Sequence, residues 1–182
     1  DFDPDFNKTF NMTSKNFLDI SVAKYDSSGN FIWAKQMGGN GTDLGEAIVL
    51  NATGAIYITG SFRDTADFNP GPGVANLISS GVSDAFILKL DTAGSFVWAR
   101  KLGGISDDYG TSISIDKTGN VYSTGSFYGA ADFDPGIGTY NVLSNGHTDA
   151  YISKLDASGN FLWAKCIGGS EYESGSSIII DL

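Results

Sequence analysis

An all-β fold of repeated four-stranded antiparallel sheets is what this sequence predicts, and three observations predict it. Trp33, Trp98 and Trp163 stand 65 residues apart inside nearly the same segment, FIWAKQMGG, FVWARKLGG and FLWAKCIGG. The apolar residues around them alternate with the period of two that strands follow, and no segment holds a 3.6-residue helical period over a useful length. The 24 glycines recur at the same turn positions of each copy instead of gathering in a linker.

The second copy shows the elements in order. Residues 84–91, DAFILKLD, set Phe86, Leu88 and Leu90 against Ile87 and Lys89, and Thr92-Ala93-Gly94 turns the chain into a return strand, SFVWARKL, at 95–102. Gly103-Gly104 breaks that strand and an acidic loop follows. A third strand is expected at 111–116, and Lys117-Thr118-Gly119-Asn120 turns it into a fourth at 121–127. Read this way, each repeat makes one sheet. The chain is then a single array over 1–182, with 1–18 as a connection from a preceding repeat, 19–83 and 84–148 as two blades with their connections, and 149–182 as an incomplete third ending in a strand at 177–182.

Sheets of this kind pack radially as a β-propeller or stack linearly as a solenoid. Radial packing demands large apolar residues at the same place in every sheet, which the Trp series and the pair Phe62 and Phe127 supply. The expected fold is therefore a partial β-propeller, just under three blades of a 65-residue repeat. Known rings start at about four blades, so a longer natural protein or an assembly of copies is expected, with total blade number open.

The string from Asp84 to Gly104, followed by Asp108, Gly110, Ile113, Asp116, Gly119-Asn120-Val121-Tyr122 and Thr124-Gly125-Ser126-Phe127, resembles the SBBP-type β-propeller repeat. That resemblance implies a module of secreted and surface proteins of bacteria, commonly of the Bacteroidetes group. It brings no shared catalytic residues.

Charge and composition exclude several classes. A net charge of −10 opposes nucleic acid, whose phosphates reward clustered Lys and Arg, and also an anionic membrane surface. No run approaches the roughly 18 apolar residues of a membrane helix, so membrane insertion is not expected. Cys166, the single cysteine, aligns with Gln36 and Lys101 and reads as a neutral substitution.

The strongest candidate site is the loop Asp132-Phe133-Asp134-Pro135-Gly136, with its copies Asp67-Phe68-Asn69-Pro70-Gly71 and Asp1-Phe2-Asp3-Pro4. Oxygens two residues apart in a Gly-bearing loop suit a hard cation, which makes Asp67, Asn69, Asp132 and Asp134 candidate Ca²⁺ ligands. The alternative is an Asx-type turn anchored on the sheet by its Phe. A second acidic series, Asp43, Asp108 and Glu173, follows the Gly-Gly pairs and reads as turn caps on a solvated loop, or as cation or sugar ligands at one rim. Asp19, Asp84 and Asp149 precede each first strand and are expected to fix its entry through backbone amides.

Trp33, Trp98 and Trp163 read as inter-blade core, whereas Tyr109, Tyr128, Tyr140 and Tyr172 differ between repeats and are candidates for a contact surface, with Arg63, His147 and Asn40. The only histidine, His147, leaves no Ser-His-Asp set and no His-ligated metal to build. These features point to a non-catalytic extracellular or cell-surface module, binding a protein or surface glycan, further copies of itself, or remaining blades of a longer chain. Two other classes stay open: a glycan-active enzyme, which would lose activity on replacement of a unique carboxylate, and a purely architectural repeat that assembles and binds nothing small.

Overall fold

The computed structural model describes residues 1–181. They form β1 (Ile20–Tyr25), β2 (Phe31–Gly39), β3 (Leu44–Leu50), β4 (Ile56–Phe62), β5 (Thr65–Asp67), β6 (Asn76–Ile78), β7 (Asp84–Leu90), β8 (Phe96–Gly104), β9 (Asp108–Ile115), β10 (Val121–Asp132), β11 (Asn141–Leu155) and β12 (Phe161–Ile167), with no helix among the described residues. The hairpin turns share one construction. In the β7–β8 turn, Asp91 Oδ1 accepts the Ala93 and Ser95 amides, both at 2.8 Å. Gly94 supplies the left-handed residue at φ 76°, a conformation that carries no steric cost without a Cβ.

The sheets are offset from the repeats by half a unit. β4 pairs antiparallel with β7, from Ile56 opposite Leu90 to Phe62 opposite Asp84, so one blade is β3-β4-β7-β8. The next is β9-β10-β11-β12. The strands between 84 and 127 therefore belong to two sheets, which corrects the expectation of one sheet per repeat. The physical reason lies at the breaks: Gly103-Gly104 sends the chain into the following blade, while the excursion after Phe62 returns it to the open edge of β4. Alternation identifies a strand without naming its neighbour.

Each excursion is itself a structural part. β5 and β6 form a short hairpin whose Asp67 and Ala66 pair with Gly38 and Gly39 at the end of β2. In the next repeat Ala131 and Asp132 pair with Gly104 and Gly103 of β8. Every blade thus clips onto the outer strand of the blade before it. Gly104 permits that approach, since a Cβ there would lie 1.9 Å from the Ala130 carbonyl oxygen.

The strand expected at 177–182 does not form over 177–181, and Leu182 lies outside the described residues. Residues 173–175 nevertheless occupy the place that β9 occupies one repeat earlier. Glu173 N donates to Thr148 O at 2.7 Å and Gly175 N to Gly125 O at 3.0 Å, just as Asp108 N donates to Ser83 O at 2.8 Å. β9 is a strand because β10 pairs along it; segment 173–181 has no such ladder among the described residues.

Alternation within each strand divides the core between two blade junctions. Ile56, Ile58, Phe86, Leu88 and Leu90 pack with Ile20, Val22 and Met37 on one side. Tyr57, Ile87, Trp98 and Leu102 pack with Ile113, Val121, Phe127 and Tyr151 on the other. Both clusters are buried, and burial of this apolar surface is what holds successive blades face to face.

Candidate functional site

The acidic loops are built into the clips. Asp67 Oδ1 accepts the Asn69 amide at 3.0 Å and the Ala75 amide at 2.8 Å. Asp132 Oδ1 accepts Asp134 and Tyr140 at the same two distances, and Asp1 Oδ1 accepts Asp3 at 3.0 Å and Phe10 at 2.9 Å. Asn69 and Asp134 each take the glycine amide two residues on, at 2.8 Å. The intervening phenylalanines of the second and third copies are buried, and Phe2 of the first is half-buried: Phe68 lies 5.4 Å from Phe62 and 4.8 Å from Phe86, ring centre to ring centre, and Phe133 stands equally against Phe127 and Tyr151. Asp132 and Asp134 also line a cavity of about 410 Å³ together with Arg100, Lys101 and Ser80. Arg100 donates to the Gly159 and Ser158 carbonyl oxygens and Lys101 to Ser80, so neither cation is paired with these two carboxylates. Among the described residues, no three His, Cys, Asp or Glu side chains converge as a metal cluster.

Behind each clip lies a second carboxylate feature, a pair that meets across a glycine. Asp84 and Asp108 press on Gly103, where a Cβ would lie 2.9 Å from Asp84 Cγ and 2.6 Å from Asp108 Oδ2. Asp19 and Asp43 stand likewise about Gly38. The second member caps the strand break: Asp43 Oδ2 accepts Gly39 N at 2.7 Å, Asp108 Oδ2 accepts Gly104 N at 2.6 Å and Glu173 Oε2 accepts Gly169 N at 2.9 Å. The first member ties down the backbone four residues before itself, with Asp84 Oδ2 accepting Ser80 N at 3.0 Å ahead of β7 and Asp149 Oδ2 accepting Asn145 N at 3.2 Å within β11. Asp43, Asp84, Asp108 and Asp149 are at most 1% exposed. The solvated loop expected for Asp43 and Asp108 is therefore corrected, because the Gly-Gly break folds the acidic residue inward over the strand end.

Burial pushes the Asp43 and Asp84 carboxyls above their ordinary value. Asp108 is pushed up to about 7, first by burial and then by the charge of Asp84. The position of Cys166, Gln36 and Lys101, expected from residue type to be neutral, serves the first member of each pair. Gln36 Nε2 donates to Asp19 Oδ2 at 2.5 Å, Lys101 Nζ stands 3.4 Å from Asp84 Oδ2, and Cys166 Sγ donates to Asp149 Oδ2 at 3.0 Å. Three chemically unlike residues fill one donor position, which sequence comparison of the repeats hides because their side chains share only the ability to donate.

Trp98 is buried on the outer strand and reaches the next blade, its Nε1 donating to Ala157 O at 3.3 Å. Trp33 and Trp163 are half-buried. A Cβ on Gly94 would meet the Trp33 ring at 3.0 Å, so Trp33 covers the hairpin turn of the following blade in the same way.

The residues that differ between repeats gather at one rim of the junctions. At the first junction Arg63 pairs with Asp107 at 3.7 Å beside exposed Val82. One repeat later the same three positions read Tyr128, Tyr172 and His147. His147 and Tyr172 stack at 4.2 Å with their planes 10° apart, and Tyr128 is opposite Thr148 in the β10–β11 ladder. One rim position thus carries an ion pair, the next an exposed aromatic patch. Tyr109 is half-buried on β9. Tyr140 lies apart from this group, in the clip, against Phe161 at 4.8 Å with its hydroxyl donating to Ala164 O at 3.3 Å. Asn40 receives a bond from Asn16 at 3.1 Å.

Comparison with known proteins agrees with this architecture. Residues 97–126 match SBBP, described as a beta-propeller repeat. The chain is similar to the regulatory protein FlaEY of Caulobacter vibrioides, with 26% identity over 167 residues, which cover 90% of this chain and 17% of that protein. It is equally similar, at 26% identity over 189 residues, to an uncharacterized WD repeat-containing protein of Acanthamoeba polyphaga mimivirus, covering 94% of this chain and 14% of the relative. The chain therefore spans less than a fifth of the length of either relative.

Proposed function

The chain carries an SBBP beta-propeller repeat, and on that premise we propose that it is a non-catalytic propeller segment that presents its variable junction rim to a protein partner, in an extracellular or cell-surface setting. The observation that carries this reading is the division of labour among its side chains. The repeated carboxylates are spent on backbone amides at the junctions, while Tyr128, His147 and Tyr172 replace Arg63, Val82 and Asp107 at one place on a constant frame. Recognition surfaces are written in such variation, and exposed aromatics supply contact area at little entropic cost. A regulatory protein and a WD repeat-containing protein among the relatives support a protein partner over a glycan.

A photo-crosslinking residue at position 128 tests this in the source cell. Crosslinks to one defined protein, lost when His147 and Tyr172 are replaced by serine, support the rim as the contact surface. Equal crosslinking from position 97, on the outer strand, speaks against it. Protease treatment of intact cells tests the setting, since a surface module is cleaved and an internal one is spared.

A further inference from the structure

The internal repeat shows what the free edge of β1 is shaped to receive. β1 is the counterpart of β7 and β11, 65 and 130 residues earlier. β7 is paired on its inner side by β4, and β11 by β10, whereas β1 ends its sheet with that side unpaired among the described residues. Two adjoining cavities of about 270 and 450 Å³ lie along it, between β1 and the facing strand β3.

Their linings are legible one repeat later. The larger cavity is lined by Lys24, Trp33, Ile48, Leu50, Gly54 and Ile56, whose counterparts are Lys89, Trp98, Ile113, Ile115, Gly119 and Val121. Of those counterparts, Trp98, Ile113, Ile115 and Val121 share one apolar cluster with the Tyr57 side chain. Its ring lies 6.1 Å from Trp98 edge to face, with Lys89 Nζ 5.1 Å from its centre. Tyr122 repeats this against Trp163 at 6.2 Å and Lys154 at 4.8 Å. The smaller cavity is lined by Ser21, Gly45 and Ala47, counterparts of Phe86, Gly110 and Ser112. There Thr59 donates to Phe86 O at 2.7 Å, as Thr124 does to Tyr151 O at 2.6 Å.

We infer that the groove between β1 and β3 is a receptor for an added antiparallel strand of the form Tyr-x-Thr-Gly, supplied by a further unit of this same repeat. The tyrosine enters the larger cavity onto Trp33 and under Lys24, and the threonine hydroxyl donates to the Ser21 carbonyl oxygen. Main-chain bonds along the β1 edge give affinity and the two side-chain slots give selectivity, which is the logic of strand addition. It also resolves the exposed edge, which otherwise invites indiscriminate pairing. The inference stands on the repeat geometry and not on the rim reading proposed above.

The test is titration of the isotope-labelled chain with a peptide of residues 55–64, AIYITGSFRD, followed by NMR. The expected result is saturable one-to-one binding that moves the amides of β1 and the Trp33 indole. Peptides carrying Tyr57→Ala or Thr59→Val should bind at least about tenfold more weakly. Substitution in the peptide leaves the fold of the chain untouched. Failure to saturate at about 1 mM peptide, equal binding of the Tyr57→Ala peptide, or a doubled mass with β1 protected and indifferent to peptide would each overturn the inference. The last outcome would show that β1 pairs with β1 of a second copy.

Discussion

Asp84 and Asp108, from successive blades, close on the same point above Gly103, 2.9 Å and 2.6 Å from where its Cβ would be. The glycine is thus an obligatory gap between two carboxylates, and its backbone sits at φ 153°. Gly103→Ala is expected to destabilise the fold by about 2 kcal/mol or more, through overpacking against buried charged groups. Chemical denaturation of the wild-type and Gly103→Ala proteins measures this.

The same pair makes stability depend on pH. Asp108 is raised from 3.8 to about 7 in the folded chain, so between those values the folded state holds a proton that the unfolded chain has released. Unfolding free energy then falls as pH rises from about 4 to 7 and levels off above. Facing Asp108 are Asp84 on β7 and the neighbouring Asp107, with Lys101 of β8 against Asp84. Asp108→Asn should flatten the dependence in that window. An unchanged pH profile in the variant would remove Asp108 as its source.

Phe133 anchors the second clip at 1% exposure between Phe127 and Tyr151. Phe133→Ala should cost about 3–5 kcal/mol. Because the clip joins two blades, loss of the anchor should also raise hydrogen exchange at Gly103 and Gly104, the residues that Asp132 and Ala131 pair with.

Cys166 is half-buried and donates to Asp149, and burial together with that carboxylate pushes the thiol up to about 12. Only the thiolate reacts with alkylating reagents. Iodoacetamide at pH 8 is expected to label the folded chain far more slowly than the same chain in denaturant, and Asp149→Asn should narrow the difference.

In the clip loops, one oxygen each of Asp67 and Asp132 already accepts two backbone amides, and Arg100 and Lys101 share the cavity with Asp132 and Asp134. Excess chelator should therefore leave the melting temperature unchanged. A fall in melting temperature that added Ca²⁺ reverses would assign these loops as a cation site instead.

The hairpin strands and the propeller class were legible in the sequence because a 65-residue repeat prints the same turn and core residues three times, as at Gly29, Gly94 and Gly159. The strand expected at 177–182, by contrast, does not form over 177–181, and the clip strands β5 and β6 were not legible. The pairing of β4 with β7 was not, since alternation is a property of one strand and the partner is chosen across the excursion from Arg63 to Ser83. Asp43 and Asp108 look like surface acids by residue type alone. Their recurrence four residues after a Gly-Gly pair was the available signal of a buried cap. The donor role of Gln36, Lys101 and Cys166 had no such signal, because the three differ in charge, size and chemistry.

The half-repeat offset of the sheets underlies the clips, the carboxylate pairs and the strand-accepting groove, and backbone NOEs test it most directly. Cross-strand contacts between Ile58 and Leu88, and between Thr124 and Ile152, are the predicted result. Contacts joining β2 to β3 within residues 31–50, with none between β4 and β7, would contradict it.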